Sequence, residues 1–208
     1  MYLINERENL LDNLDMALYF MRNPIRFRYK WVTISLHQAL YGALILGIQK
    51  FDGDPVVYGA DAEKFKIWME YRNGATLESL EKEHKKENIQ KALYPSRLMG
   101  FDEVDKKYTN LQKSDPGSNQ SHPILSEHTR FAIDRLKSIR DQFEHFAPIE
   151  FGLLYGGIHS LYFDILKVIE TILMNEVTTI LSPEDEQKLR EIFLNLREIF
   201  SNPVVQNA

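Results

Sequence analysis

Residues 31–48 lie in the longest stretch of this chain without a charged side chain. A run of this length either crosses a membrane or forms the central helix of a helical bundle, because both need continuous apolar surface. Its first half carries Thr33, Ser35, His37 and Gln38, and polar groups in hydrocarbon cost several kcal/mol unless they are hydrogen-bonded. We therefore expect a buried core helix and no membrane span.

Composition supports a folded core around this helix. Apolar residues make up 44% of the 208 positions, which suffices for one domain, with or without an insertion. Cysteine is absent, so disulfides, a thiolate nucleophile and a Cys-ligated zinc site are excluded. The first residues contain acids and no basic start before an apolar run, so we expect no signal peptide and a cytoplasmic protein. A net charge of −5 argues against a broad basic face for nucleic acid but leaves local RNA contact open.

Apolar residues recur at three- and four-residue steps through most of the chain. They predict an amphipathic helix over residues 3–21, the core helix, a helix after Ser126, a long apolar helix over 151–174 and a C-terminal helix over 183–201. Ser126 and Ser182 are expected caps, and Pro183 with the acids that follow is typical of a helix start. In the helix after Ser126 the predicted buried residues are Phe131, Ile133, Leu136, Ile139 and Phe143. We predict an all-α fold, an antiparallel bundle of four to five main helices.

The stretch of about 52–123 differs from the rest. Residues 78–91 are dominated by charge and contain His84, and residues 114–123 are a dense set of turn formers. We interpret this stretch as short helices and a loop inserted into a single domain over 1–208. No repeated Glu-x-x-His spacing, glycine-rich phosphate loop or zinc-protease motif is present, so neither a metal nor a cofactor is expected.

One segment combines residues suited to chemistry. Arg140 is followed by Asp141 and Glu144, and His145 stands five positions after the arginine. Histidine exchanges protons near neutral pH, and arginine stays charged and binds phosphate oxygens in bidentate fashion. Asp141 lies four residues before His145, so on a helix its carboxylate would orient the imidazole. Such a set suits metal-independent cleavage of a phosphodiester.

This segment resembles the motif of the HEPN superfamily, all-helical domains of which many are metal-independent ribonucleases in toxin–antitoxin and antiviral systems. That motif is Arg, four to six residues, then His, usually with Asn, Asp or His after the Arg, and here Arg140, Asp141 and His145 match it. The resemblance covers the first two helices and residues 126–174 and leaves about 52–123 unmatched. It implies a HEPN-like bundle that cleaves RNA without cofactor or metal, beside an antitoxin or defence partner protein.

The resemblance also implies roles. His145 would be the acid/base, Arg140 would bind the scissile phosphate, and Asp141 or Glu144 would orient them, leaving a 2′,3′-cyclic phosphate and a 5′-hydroxyl. His37 is a weaker candidate for lining the same cleft. A five-residue helical step turns about 140°, so Arg140 and His145 of one straight helix would not share a face. Either the helix distorts or two chains combine, and HEPN dimers do the latter, so a homodimer is expected.

Structural interpretations of the same residues remain open. Arg140 and Glu144 could form a simple i,i+4 ion pair, and His145 could hydrogen-bond at a helix end. His37 and His159 are typical of core histidines with satisfied hydrogen bonds. The family's tyrosine two residues after the histidine is replaced here by Ala147, so regulation through that tyrosine is unsupported. The alternative function is a non-catalytic helical module that keeps the bundle and binds a partner protein or a nucleotide.

Overall fold

The computed structural model describes residues 6–52, 66–67, 69–71, 73–92, 100–114, 125–144, 155–173 and 182–201. Within these ranges the chain is helical and contains no strand, which confirms the all-α prediction. The helices are α1 (Glu6–Arg22), α2 (Arg28–Asp52), α3 (Leu77–Glu83), α4 (Lys86–Ala92), α5 (Phe101–Ser114), α6 (Glu127–Glu144), α7 (Tyr155–Ile172) and α8 (Pro183–Ser201).

Helix α2 is the centre of the bundle. It packs against α1, α5, α6 and α7, and α8 covers α1 and α7. The part Arg28–Ile48 is long and apolar enough to cross a membrane, but 78% of its most apolar window is buried inside the protein. The uncharged stretch is therefore explained by burial on nearly all sides of one helix.

The polar residues of α2 have partners inside the core. Thr33 Oγ1 donates to the Tyr29 carbonyl at 2.8 Å and lies 2.6 Å from the Tyr162 hydroxyl of α7. The Tyr162 hydroxyl in turn donates to the same Tyr29 carbonyl at 2.8 Å, and burial raises the pKa of this tyrosine. His159 Nε2 lies 3.2 Å from the Tyr29 hydroxyl, with 3% of the residue exposed. The Thr33 and Tyr162 hydroxyls and His159 Nε2 therefore each have a partner, which makes their burial tolerable, whereas the buried His159 Nδ1 has no hydrogen-bond partner among the described residues.

The buried face of the helix after Ser126 agrees with the prediction except at Phe131. Ser126 Oγ accepts from Thr129 N at 3.2 Å, so the cap is confirmed, and Ile133 and Leu136 are buried. Phe131, however, is 64% exposed, and its predicted burial is wrong. The buried face starts at Ala132, and Phe131 lies about 200° from Ile133 around the helix.

The stretch predicted as an insertion has two parts. Helix α5 packs on α2, and its Val104 and Tyr108 belong to the main core. Ile67, Leu80 and Ile89 form a separate small cluster where α3 and α4 meet. Among the described residues of this stretch, only those of α5 therefore contribute to the surroundings of the candidate site.

Candidate functional site

Arg140 lies in the last turn and a half of α6, on the side that faces α2. Its side chain is 19% exposed, so the guanidinium is mostly enclosed and still reaches solvent. Its partners include His37, whose Nε2 lies 3.2 Å from Nη2, and Asp141, whose Oδ1 lies 3.1 Å from Nη1. The sequence-predicted residues Arg140, Asp141 and His37 therefore form one cluster.

Asp141 turns toward Arg140 along the helix surface. Adjacent helical residues point about 100° apart, so this contact depends on the length of the arginine side chain. Asp141 is 39% exposed, which leaves part of the carboxylate in water. One oxygen of the Asp141 carboxylate therefore holds the Arg140 guanidinium. The sequence analysis had predicted that this carboxylate orients the His145 imidazole.

His37 is buried, with 3% of the residue exposed, and the Phe101 ring covers it at a centroid distance of 4.4 Å. Beside it, Lys137 Nζ pairs with Asp102 Oδ1 at 2.5 Å. Burial, followed by the positive charges of Arg140 and Lys137, lowers the pKa of His37 to about 3. The imidazole is therefore neutral at physiological pH.

A neutral His37 has a defined role in this arrangement. A guanidinium only donates hydrogen bonds, so His37 Nε2 must be the acceptor and the ring proton sits on Nδ1. This tautomer is an inference from the hydrogen-bond geometry. His37 consequently acts on the direction of the guanidinium and cannot donate a proton at neutral pH.

His145 lies outside the described residues, one position past the end of α6, and the side chain of Glu144 is not described either. The spatial relation of Arg140 to His145 therefore stays a prediction, as does a contact between Arg140 and Glu144.

Sequence reasoning missed three neighbours of the cluster: Phe101, Asp102 and Lys137. Phe101 and Asp102 belong to the stretch interpreted as an insertion, and only the docking of α5 brings them to His37. Lys137 stands three residues before Arg140, so helical spacing alone would have placed it on the same side.

Other polar groupings lie elsewhere. A cavity of about 350 Å³ between the start of α6 and α7 contains His128 and Asp164, paired at 3.1 Å. It is about 18 Å along the α6 axis from Arg140. Glu70, Glu83 and His84 bring carboxylate and imidazole atoms within 4.8 Å of one another, the donor types that Zn²⁺ accepts. His84 Nε2 is already bonded to Glu70 at 3.0 Å, which ties residues 69–71 to the end of α3.

Comparison with known proteins returned no matching family model, no matching characterised protein and no matching solved structure.

Proposed function

We propose that this protein is a metal-independent endoribonuclease of the HEPN type. Arg140 binds the scissile phosphate, His145 exchanges protons, and Asp141 and His37 hold the guanidinium. Glu144 is the further candidate for orienting the pair. The setting that we propose is a toxin–antitoxin or antiviral system, with a cognate partner protein that controls the nuclease.

The observation that carries the proposal is the way Arg140 is held. The Arg140 side chain is 19% exposed, and its guanidinium has a carboxylate on Nη1 and a neutral imidazole on Nη2. These contacts fix its direction, and fixed charge stabilises a transition state better than mobile charge does. The neutral state of His37 matters, because a second cation there would push Arg140 away.

The reaction needs only proton transfers and charge stabilisation. A His145 imidazole takes the proton of the 2′-hydroxyl, and the 2′-oxygen attacks phosphorus. The bond from phosphorus to the 5′-oxygen breaks, and an imidazolium returns a proton to that oxygen. The products are a 2′,3′-cyclic phosphate and a 5′-hydroxyl. In a homodimer, each His145 would act on the phosphate bound by Arg140 of the other subunit, first as the base and then, once protonated, as the acid.

The test is cleavage of labelled RNA in EDTA. We expect Arg140→Ala to lower the rate by about 100- to 1,000-fold and His145→Ala by about 100- to 10,000-fold. Arg190→Ala and His128→Ala are matched controls, because Arg190 pairs with Glu186 on α8 and His128 lies in the separate cavity. Both controls should keep wild-type rates, with folding checked by circular dichroism.

Two results would contradict the proposal. Cleavage that persists in both Arg140→Ala and His145→Ala would assign it to another site or a contaminant. If the wild type cleaves no RNA in a panel of structured and single-stranded substrates, the bundle is the non-catalytic binding module instead.

A further inference from the structure

The connection between α1 and α2 concentrates aromatic and basic side chains at one corner of the bundle. Tyr19 is 53% exposed, Phe27 63% and Trp31 42%, and all three are among the exposed large apolar residues of the described part of the chain. Arg26 and Arg28 stand between them in sequence. We call these five residues the α1–α2 corner.

The α1–α2 corner is positively charged, whereas the whole chain is negatively charged. Residues 16–51 contain no Asp or Glu, although the chain has a net charge of −5. Among the described residues neither Arg26 nor Arg28 forms an ion pair with a carboxylate, and Arg22 donates to Asn195, a neutral side chain, at 2.5 Å. Cations without local acids attract a polyanion.

The rings and cations of the corner are interleaved. The Arg26 guanidinium lies 4.7 Å from the Phe27 ring centroid, and Lys30 Nζ lies 5.4 Å from that of Trp31. Phe20 stacks on Trp31 at 6.0 Å and so fixes the indole. Aromatic faces beside positive charge are the chemistry by which proteins bind single-stranded nucleic acid, with bases on the rings and phosphates on the cations.

Phe27 adds an independent observation. Its φ is +61°, the one positive value described for a residue other than glycine. Phenylalanine is unfavourable in this left-handed region, which glycine or asparagine adopts more readily. The Phe27 carbonyl accepts a hydrogen bond from Lys30 N at 2.9 Å at the start of α2. This backbone contact does not require an aromatic side chain at position 27. An aromatic kept in a strained, exposed position indicates a role for the ring.

We propose that the α1–α2 corner binds single-stranded RNA, with bases stacked on Tyr19, Phe27 and Trp31 and phosphates bound by Arg26 and Arg28. The inference deepens the proposed nuclease function by assigning part of its substrate. From Arg28 to His37 the α2 axis rises about 14 Å, so one helix supports both the corner and the Arg140 cluster. Binding at the corner does not itself require cleavage.

An anionic membrane would also attract aromatic and basic residues. The observations favour RNA, because the three exposed rings of the corner offer flat faces on which bases can stack, and the only membrane-length helix among the described residues is buried in the bundle. Membrane binding is therefore one outcome of the test.

The experiment measures the fluorescence anisotropy of a short labelled oligouridylate in EDTA, in the Arg140→Ala background so that the probe stays intact. Phe27→Asn and Trp31→Ala should each weaken binding about tenfold, because stacking contributes this much per base. The dependence of log K on log salt should be shallow, and Arg26→Gln with Arg28→Gln should reduce the slope by about 0.7 for each lost phosphate contact. Arg190→Gln, which removes one positive charge from α8, should change neither quantity.

Phe27→Asn separates binding from folding. Asparagine tolerates positive φ, so this variant should keep or raise the melting temperature while it loses affinity. Absence of oligouridylate binding by the Arg140→Ala parent, or binding that the corner variants leave unchanged, overturns the inference. If the parent binds vesicles that contain anionic lipid but does not bind RNA, and if the corner variants lose vesicle binding, the corner is a membrane-binding surface instead.

The nuclease proposal and the RNA-binding proposal for the corner can be refuted independently of each other. If RNA is cleaved at Arg140 but corner variants bind normally, the corner inference is wrong and the nuclease stands. If corner variants lose binding and no RNA is cleaved, the corner stands and the nuclease is wrong.

Discussion

The protonation of His37 links the candidate site to the stability of the fold. The residue is 3% exposed, and its Nε2 accepts from Arg140 only while the imidazole is neutral. Burial and the neighbouring cations lower its pKa to about 3, against about 6.5 in an unfolded chain. Between these two values the unfolded state binds a proton that the folded state does not bind. The free energy of unfolding must therefore fall as the pH drops through this window.

We predict that His37→Gln flattens this dependence. Glutamine can accept from Arg140 but does not titrate. Between pH 7 and pH 5 the wild type should lose about 2 kcal/mol more unfolding free energy than the variant. Urea unfolding at both pH values measures the difference. His159, whose pKa is also lowered by burial, contributes equally to both proteins. Parallel losses in the two proteins would show that His37 is protonated in the fold.

At the scale of the helices, sequence periodicity predicted most of the main bundle. The buried stripes of α1 and α8 agree with expectation, and the α8 cap is confirmed: Ser182 Oγ accepts from Asp185 N at 3.1 Å. These features are local, because a helix carries its own stripe and cap in sequence. The docking of α5 depends on distant partners, including the ion pair between Asp105 and Arg130 at 2.5 Å. No spacing within the α5 sequence specifies it.

At the candidate site, too, local sequence patterns predicted the local contact but not the contact between distant segments. Arg140 and Asp141 are adjacent in sequence, so their pairing follows from a local motif, whereas His37 comes from another helix 103 positions away. Only the packing of α6 on α2 joins them. The wrong prediction that Phe131 is buried has a related cause. An apolar residue beside the buried stripe of a helix cannot be distinguished from one within the stripe until the partner helices are known.

Two substitutions in α6 test the observed phase. Leu136 is fully buried and Phe131 is 64% exposed on the same helix. Leu136→Ala should cost about 2–5 kcal/mol of unfolding free energy because it leaves a cavity, and Phe131→Ala should cost less than about 0.5 kcal/mol. Chemical denaturation of both variants provides the comparison. Equal costs would mean that Phe131 is covered, in solution, by a second chain or by residues outside the described ranges.

At the scale of the molecule, α2 connects the proposed functions. It contributes Trp31 to the α1–α2 corner, Thr33 to the buried polar cluster with Tyr162, and His37 to the Arg140 cluster. These positions follow one another along a helix that packs against four others. A substitution in α2 is therefore best interpreted with stability measured alongside activity, because its effects on binding and on folding share one scaffold.

The homodimer that we propose makes a prediction that a single-chain site does not share. If Arg140 of one subunit acts with His145 of the other, the inactive variants Arg140→Ala and His145→Ala should complement each other when co-expressed. Random pairing makes about half of the dimers mixed, and each mixed dimer has one intact composite site out of two, so about a quarter of the wild-type activity should return. Each variant alone should stay inactive. The measurement is RNA cleavage by co-purified chains that carry different tags. If the tags co-purify and no activity returns, the dimer exists but each site is built within one chain, and α6 must then distort to bring Arg140 and His145 together.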